Sequence, residues 1–173
     1  MILKNKKRYL IFALQMVSAA VLVLIDQLIK KAAVSNLMGQ EDIVLIKNFL
    51  GLTYAENTGA AFSAFSDSTM LLSVFTLILL VAGAVYLFLG KLSGKVKNIC
   101  AVCILAGGAG NLIDRFRQGY VVDYIETLFI DFPVFNFADI LVVCGVFVLC
   151  GMLIYEIVLE EKQKKQEKAN GNS

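Results

Sequence analysis

Five aspartates, Asp26, Asp114, Asp123, Asp131 and Asp139, stand at or between the ends of long apolar runs in a chain that contains no histidine. Without an imidazole there is no Ser-His or Cys-His nucleophile pair, no HExxH zinc site and no side-chain base that titrates near neutral pH unperturbed. What remains open to carboxylates is a shared proton. Two carboxyls held close do not both ionise, so one pKa rises and a single proton is divided between them. The ionised partner takes a proton from water; the protonated partner polarises a carbonyl and later protonates the leaving nitrogen, with no covalent intermediate. A low dielectric strengthens the coupling. Residue type does not choose the pair, although Asp114, next to Arg115, is the least free of the five.

The elements that must position these groups are membrane spans. Of the 173 residues, 58% are hydrophobic and 17% charged, and the mean hydropathy is +0.75. Globular chains average ~45–50% apolar and ~25% charged, and a soluble domain of this length does not bury so much apolar surface. Four runs approach the ~20 residues needed to cross a bilayer: 9–25, 69–89, 96–113 and 137–159. Lys4, Lys6, Lys7 and Arg8 precede the first run, Lys91, Lys95 and Lys97 stand between the second and third, and Lys162, Lys164, Lys165 and Lys168 follow the fourth. Together these are eleven of the 16 basic residues. The positive-inside rule therefore predicts both termini in the cytoplasm. Ser18-Ala19-Ala20 is a weak cleavage-like site, but the apolar run continues through Ile25, so the first span is read as retained.

Two segments lie on the outer side. In 31–68, the stretch 42–54 is rich in β-branched and aromatic residues and too short to span, predicting strands at the membrane surface. Asn57-Thr58-Gly59 then predicts a turn, followed by the small residues Ala60, Ala61 and Ser63. The second segment, 115–136, is read as a loop carrying Asp123 and containing Pro133, the only proline. With this topology Asp26 and Lys30 (i, i+4), Asn111, Asp114 and Arg115 (i, i+3, i+4), and Asn136 and Asp139 share helix faces at the outer ends of three spans. Polar groups thus gather at one depth, and intramembrane ionisable groups are functional candidates. Asp26–Lys30 also admits a plain reading as a snorkelling ion pair, Asp139 as an N-terminal helix charge, and Lys31, Lys47 and Arg117 as ordinary interface charges. Cys100, Cys103, Cys144 and Cys150 read as small apolar residues within helices. Ala106-Gly107-Gly108-Ala109-Gly110 reads as a close-packing face. The tail from Glu160 is charged and is expected to fray. A net charge of +2, with no basic patch interleaved with aromatics, argues against a nucleic-acid partner.

Five blocks carry a family resemblance. They are Asp26-Gln27-Leu28-Ile29-Lys30, the stretch from Glu56-Asn57-Thr58-Gly59 through Ala60-Ala61-Phe62-Ser63, Gly107-Gly108-Ala109-Gly110-Asn111-Leu112-Ile113-Asp114-Arg115, Gly119-Tyr120-Val121-Val122-Asp123-Tyr124, and Phe135-Asn136-Phe137-Ala138-Asp139. In this order, over roughly residues 10–157, the chain resembles the bacterial lipoprotein signal peptidases, or signal peptidase II. The resemblance implies four transmembrane helices with a small β-cradle on the outer membrane surface (about 42–63), that is, an all-α membrane protein with a small β element. The chain is expected to divide into a peptidase unit, 1–159, and a charged cytoplasmic tail, 160–173, which matches nothing diagnostic in the family. The resemblance implies that Asp123 and Asp139 are the catalytic aspartates. Asn57, Asn111, Arg115 and Asn136 then line the site, and Asp26, Lys30 and Asp114 support it. The implied substrate is a prolipoprotein in the bacterial cytoplasmic membrane, cut just before a diacylglyceryl-modified cysteine. Its lipid chains hold the scissile bond near the outer interface. Membrane lipid is the surrounding partner, no metal or organic cofactor is implied, and globomycin-like cyclic peptides are expected to inhibit. The competing reading is a proton or cation carrier using Asp26, Asp114 and Asp139 as relays. That reading expects acids at several depths, whereas only Glu156 departs from the outer level. A non-catalytic scaffold subunit gives Asp123 and Asp139 no reason to be acids.

Overall fold

The computed structural model describes residues 2–59 and 69–170, with side chains over 6–59 and 69–166. Four helices, α1 (Ile2–Leu37), α2 (Thr69–Phe88), α3 (Lys95–Gln118) and α4 (Phe137–Asn170), are joined by three strands, β1 (Ile43–Ile46), β2 (Leu50–Asn57) and β3 (Val121–Thr127). Each helix is long and apolar enough to cross a membrane. Their outer faces expose large apolar side chains, such as Leu14, Val17 and Val21 on α1, Ile78 on α2 and Phe147 on α4. A helix apolar on its outward face suits hydrocarbon rather than water.

Helix α3 is the least apolar of the four and the most buried, and it packs against all the others, most extensively α4. Its small residues allow this. A Cβ on Gly107 would collide with the carbonyl oxygen of Ala138 in α4, and one on Gly110 would meet the Asp26 carboxylate from α1. Small residues let membrane helices approach backbone to backbone. Gly119 ends α3 in the left-handed region (φ 84°), its N–H returned to the Arg115 carbonyl.

The strands form one antiparallel sheet in the order β1-β2-β3. It sits at the end of the bundle where α1 and α3 finish and α4 begins. Ala33 and Leu37 at the end of α1 pack with Val122 and Tyr124 of β3, fastening sheet to bundle. A register shift between Leu52 and Ala55 precedes the pairing of Ala55 with Asp123, and such bulges commonly re-aim a side chain beside a site.

Three sequence expectations need correction. Asp123 is on a strand, β3, and not in a loop. Helix α1 runs past Lys30 to Leu37, seven residues into the segment 31–68 read as lying outside the span, because its last turns are buried by the sheet and not by lipid. The segment after Glu160 stays helical to Asn170, where Glu160 and Glu161 precede Lys164 and Lys165 at i, i+4 spacing, a stabilising order. The strand reading of 42–54 matches β1 and β2, while residues 60–63 of the expected cradle lie outside the described residues.

Candidate active site

The first turn of α4 is built by a reciprocal cap. Asn136 precedes the helix, and its Oδ1 accepts from the Asp139 N–H at 3.0 Å. The Asp139 Oδ2 accepts in return from the Asn136 N–H at 3.1 Å. This is the capping-box logic, with Asn and Asp supplying the side chains. The acid at the third helical position also lies near the positive end of the helix dipole.

Asn136 is fully buried, and its amide nitrogen faces away from the cap. Nδ2 donates to the Asp123 Oδ1 at 2.6 Å and to the Asn111 Oδ1 at 3.1 Å. A single side chain therefore ties the backbone of Asp139 to the carboxylate of Asp123. Its delivery depends on Phe135, whose backbone pairs with Ile125 of β3. The other Asp123 oxygen, Oδ2, accepts from the Asn57 Nδ2 at 2.9 Å. Asn57 ends β2, and its own Oδ1 closes a turn on the Gly59 N–H at 3.0 Å.

Asp123 is 1% exposed. Burial pushes its carboxyl up to about 6, and the charge of Asp139 pushes the same way; hydrogen bonds from Asn57 and Asn136, and the charge of Lys30, oppose the rise. The Tyr124 hydroxyl beside it accepts from the Phe137 N–H, and burial raises this phenol to about 12.

A buried ionic cluster stands behind the pair. The Lys30 ammonium donates to the Asp26 Oδ2 at 2.9 Å, the Asp114 Oδ2 at 2.9 Å and the Asn111 Oδ1 at 2.8 Å, using all three hydrogens. These groups are at most 9% exposed. With its oxygen held by Lys30, Asn111 turns its amide nitrogen to the Asp139 Oδ1 at 2.8 Å. Asp114 also accepts from the Val122 N–H and from the Gln27 Nε2. Arg115 donates through Nη2 to the Gly59 carbonyl at 3.0 Å.

A cavity of about 400 Å³ opens beside this network. Asn57, Asn111, Arg115 and Asp139 supply its polar wall; Phe132, Phe135, Ile140 and Val143 are among its apolar lining. Asp123 lies just behind Asn57 and Asn136. A mostly apolar pocket with a few convergent polar groups is the usual form of a binding site.

The structure thus brings together all nine residues singled out in the sequence: Asp26, Lys30, Asn57, Asn111, Asp114, Arg115, Asp123, Asn136 and Asp139. Asp131 is exposed and outside the network, and Lys31, Lys47 and Arg117 are exposed. Gln27 was not singled out, yet its amide touches Asp26, Asp114 and the Gly110 carbonyl. Its signal was an amide within an apolar run, one residue from Asp26. Among the described residues no cluster of His, Cys, Asp or Glu is arranged to hold a metal ion.

The signal peptidase (SPase) II family profile matches residues 18–155. A lipoprotein signal peptidase of Clostridium acetobutylicum is 40% identical over 154 residues, covering 87% of this chain and 97% of that one. One from Clostridium tetani is 38% identical over 144 residues, covering 82% and 92%. A bacterial membrane enzyme solved by the in meso method at 2.3 Å superposes with a TM-score of 0.77 at 28% identity, covering 84% of this chain and 90% of that one. With its four apolar helices this is a multi-pass membrane protein. The chain belongs to the signal peptidase II family of aspartic endopeptidases.

Proposed function

We propose that the chain removes signal peptides from prolipoproteins, cutting before a diacylglyceryl-modified cysteine with a water molecule activated between Asp123 and Asp139. The observation that carries this reading is the Asn136 clamp, which links both carboxylates, Asp123 through its side-chain amide and Asp139 through its backbone N–H, beside a cavity walled in part by Ile140, Val143 and Cys144 of α4. Asp139 faces the cavity and accepts hydrogen bonds from Asn111 and the Asn136 backbone, which suits a carboxylate that takes the proton from water. Asp123, buried and shifted toward neutrality, holds the shared proton, polarises the scissile carbonyl and passes the proton to the leaving nitrogen. Asn57, Asn111 and Asn136 fix the two carboxyls. Arg115 holds the Gly59 turn beside the cavity, and Asp26, Lys30 and Asp114 lock Asn111 in register.

The apolar cavity wall receives the helical signal peptide, and the diacylglyceryl chains stay in the bilayer. Eleven of the 16 basic residues lie toward the end opposite the sheet, so that end faces the cytoplasm and the site meets the outer leaflet of the bacterial cytoplasmic membrane. Residues 1–159 form the peptidase unit and 160–173 a cytoplasmic extension. No cofactor and no nucleic acid take part, and globomycin-like cyclic peptides compete for the cavity.

The test is cleavage of a diacylglyceryl-modified prolipoprotein by the purified protein in detergent. Wild type cleaves. Asp123→Asn and Asp139→Asn stay folded, because Asn is nearly isosteric, but lose activity by about 10⁴-fold or more because an amide cannot exchange the proton. Robust cleavage by either variant overturns the pairing.

A further inference from the structure

A second cavity, of about 400 Å³, lies at the opposite end of the bundle, between the start of α1, the end of α2 and the start of α3. Lys7, Arg8, Gln15 and Asn98 are its polar lining. Two atoms of these side chains, Arg8 Nε and Gln15 Oε1, are covered from solvent and have no hydrogen-bond partner among the described residues. Neither side chain is loose. The Arg8 guanidinium sits 5.5 Å from the ring centres of Tyr9 and Phe88, and the Gln15 Nε2 donates to the Asn98 Oδ1 at 2.7 Å. A buried donor and a buried acceptor left unmet are costly, so a small turn of either side chain toward the cavity is favoured by an occupant that accepts from Arg8 and donates to Gln15. A phosphodiester oxygen does the first, and a hydroxyl does the second.

The cavity also has a tail. A groove of about 390 Å³ between α1 and α3 shares Ile11, Gln15 and Asn98 with it and continues past Leu14 and Val102 to Leu22. From Ile11 to Leu22 the helix rises about 16 Å, close to the ~15 Å depth of one hydrocarbon leaflet. We propose that the joined cavities hold one anionic phospholipid with a hydroxylated headgroup, of the phosphatidylglycerol class. Its phosphate lies against Lys7 and Arg8, a headgroup hydroxyl donates to Gln15, and one acyl chain follows the α1–α3 groove. The site is separate from the aspartates and does not depend on their assignment.

The experiment is native mass spectrometry of the purified full chain with an equimolar mixture of phosphatidylglycerol and phosphatidylcholine of matched chains. Wild type should retain a single phosphatidylglycerol up to about tenfold in preference, the scale of the headgroup hydroxyl's hydrogen bond to Gln15, which phosphatidylcholine lacks. Arg8→Gln and the uncharged change Gln15→Leu should lose that preference. Lys95→Gln, an exposed basic residue at the same end, should keep it, which separates the cavity from bulk attraction to anionic lipid. Excess soluble glycerol phosphate should not displace the lipid. Equal retention of both lipids by wild type, an unchanged preference in Gln15→Leu and Arg8→Gln, or displacement by glycerol phosphate overturns the proposal. Thermal unfolding verifies that the variants are folded, and should they not be, the wild-type competition decides alone.

Discussion

Asn57 is the residue at which the proposed chemistry is most open to adjustment. Its amide donates to Asp123, and that bond favours the charged form, opposing the rise caused by burial. Removing it, in Asn57→Ala, lets the Asp123 pKa climb, so the pair keeps its proton to higher pH. The descending limb of kcat/KM against pH reports loss of that proton. In wild type it should begin near pH 6 for the free enzyme. In Asn57→Ala it should move alkaline by about one pH unit, since a hydrogen bond to a charged group is worth ~1.5–3 kcal/mol and one unit is ~1.4. A limb that stays put, or moves acid, would separate Asn57 from the proton. At this scale the sequence was informative about identity and silent about partners. The i, i+4 spacing displayed the Asp26–Lys30 pair, but not the contact of Lys30 with Asp114 and Asn111, which lie more than 80 residues away in the chain. Local periodicity carries no such term.

Between elements, the decisive contact is the close approach of α3 to α4, because Asn111 and Asp139 straddle it. Gly107 and Gly108 are neighbours in sequence with opposite demands. A Cβ on Gly107 meets backbone, the Ala138 carbonyl, one residue from Asp139; a Cβ on Gly108 meets only the end of the Leu80 side chain, at 2.9 Å. Leu80 can turn aside, whereas the α4 backbone cannot. Gly107→Ala should therefore cost about 1–3 kcal/mol by overpacking, read as a lowered Tm in detergent, and should lower cleavage further by moving Asp139 off the Asn111 amide. Gly108→Ala should leave both near wild type. Equal behaviour of the two variants would mean that the helices slide without disturbing the pair. The glycine run was legible as a packing face, though which glycine faces which helix needs the fold. Strand β3 was not legible as a strand. Val121, Val122, Asp123 and Tyr124 are all buried, so the strand lacks the polar alternation that marks a half-exposed one. The end of α1 was hidden for a related reason: Ala33 and Leu37 continue the helical spacing of the buried face, but their partners Val122 and Tyr124 come from a strand some 90 residues later.

For the molecule as a whole, the ionisable side chains within the helices collect at two ends. One is the aspartate network beside the sheet; the other is the buried Lys97, paired with Glu156 at 2.6 Å. Between Lys97 and Asp114 helix α3 carries no acid or base other than two cysteines, so this central helix offers no ladder of carboxylates between the ends, as a carrier would need. The bundle is instead a support that presents one polar site to an apolar cavity, and entry to that cavity should control turnover. Cys144 offers a handle on entry: it is exposed, lies on α4 two turns below Asn136, and lines the cavity, whereas Cys150 is exposed but outside it. A bulky, lipid-soluble maleimide attached at Cys144 should fill part of a volume of about 400 Å³ and block cleavage without touching either aspartate. In Cys144→Ser the same reagent, still able to reach Cys150, should leave activity intact. A bound cyclic peptide inhibitor should slow labelling of Cys144 and not of Cys150, as followed by peptide mass mapping. Full activity after complete labelling of Cys144 would mean that the substrate reaches Asp139 by another face of the bundle.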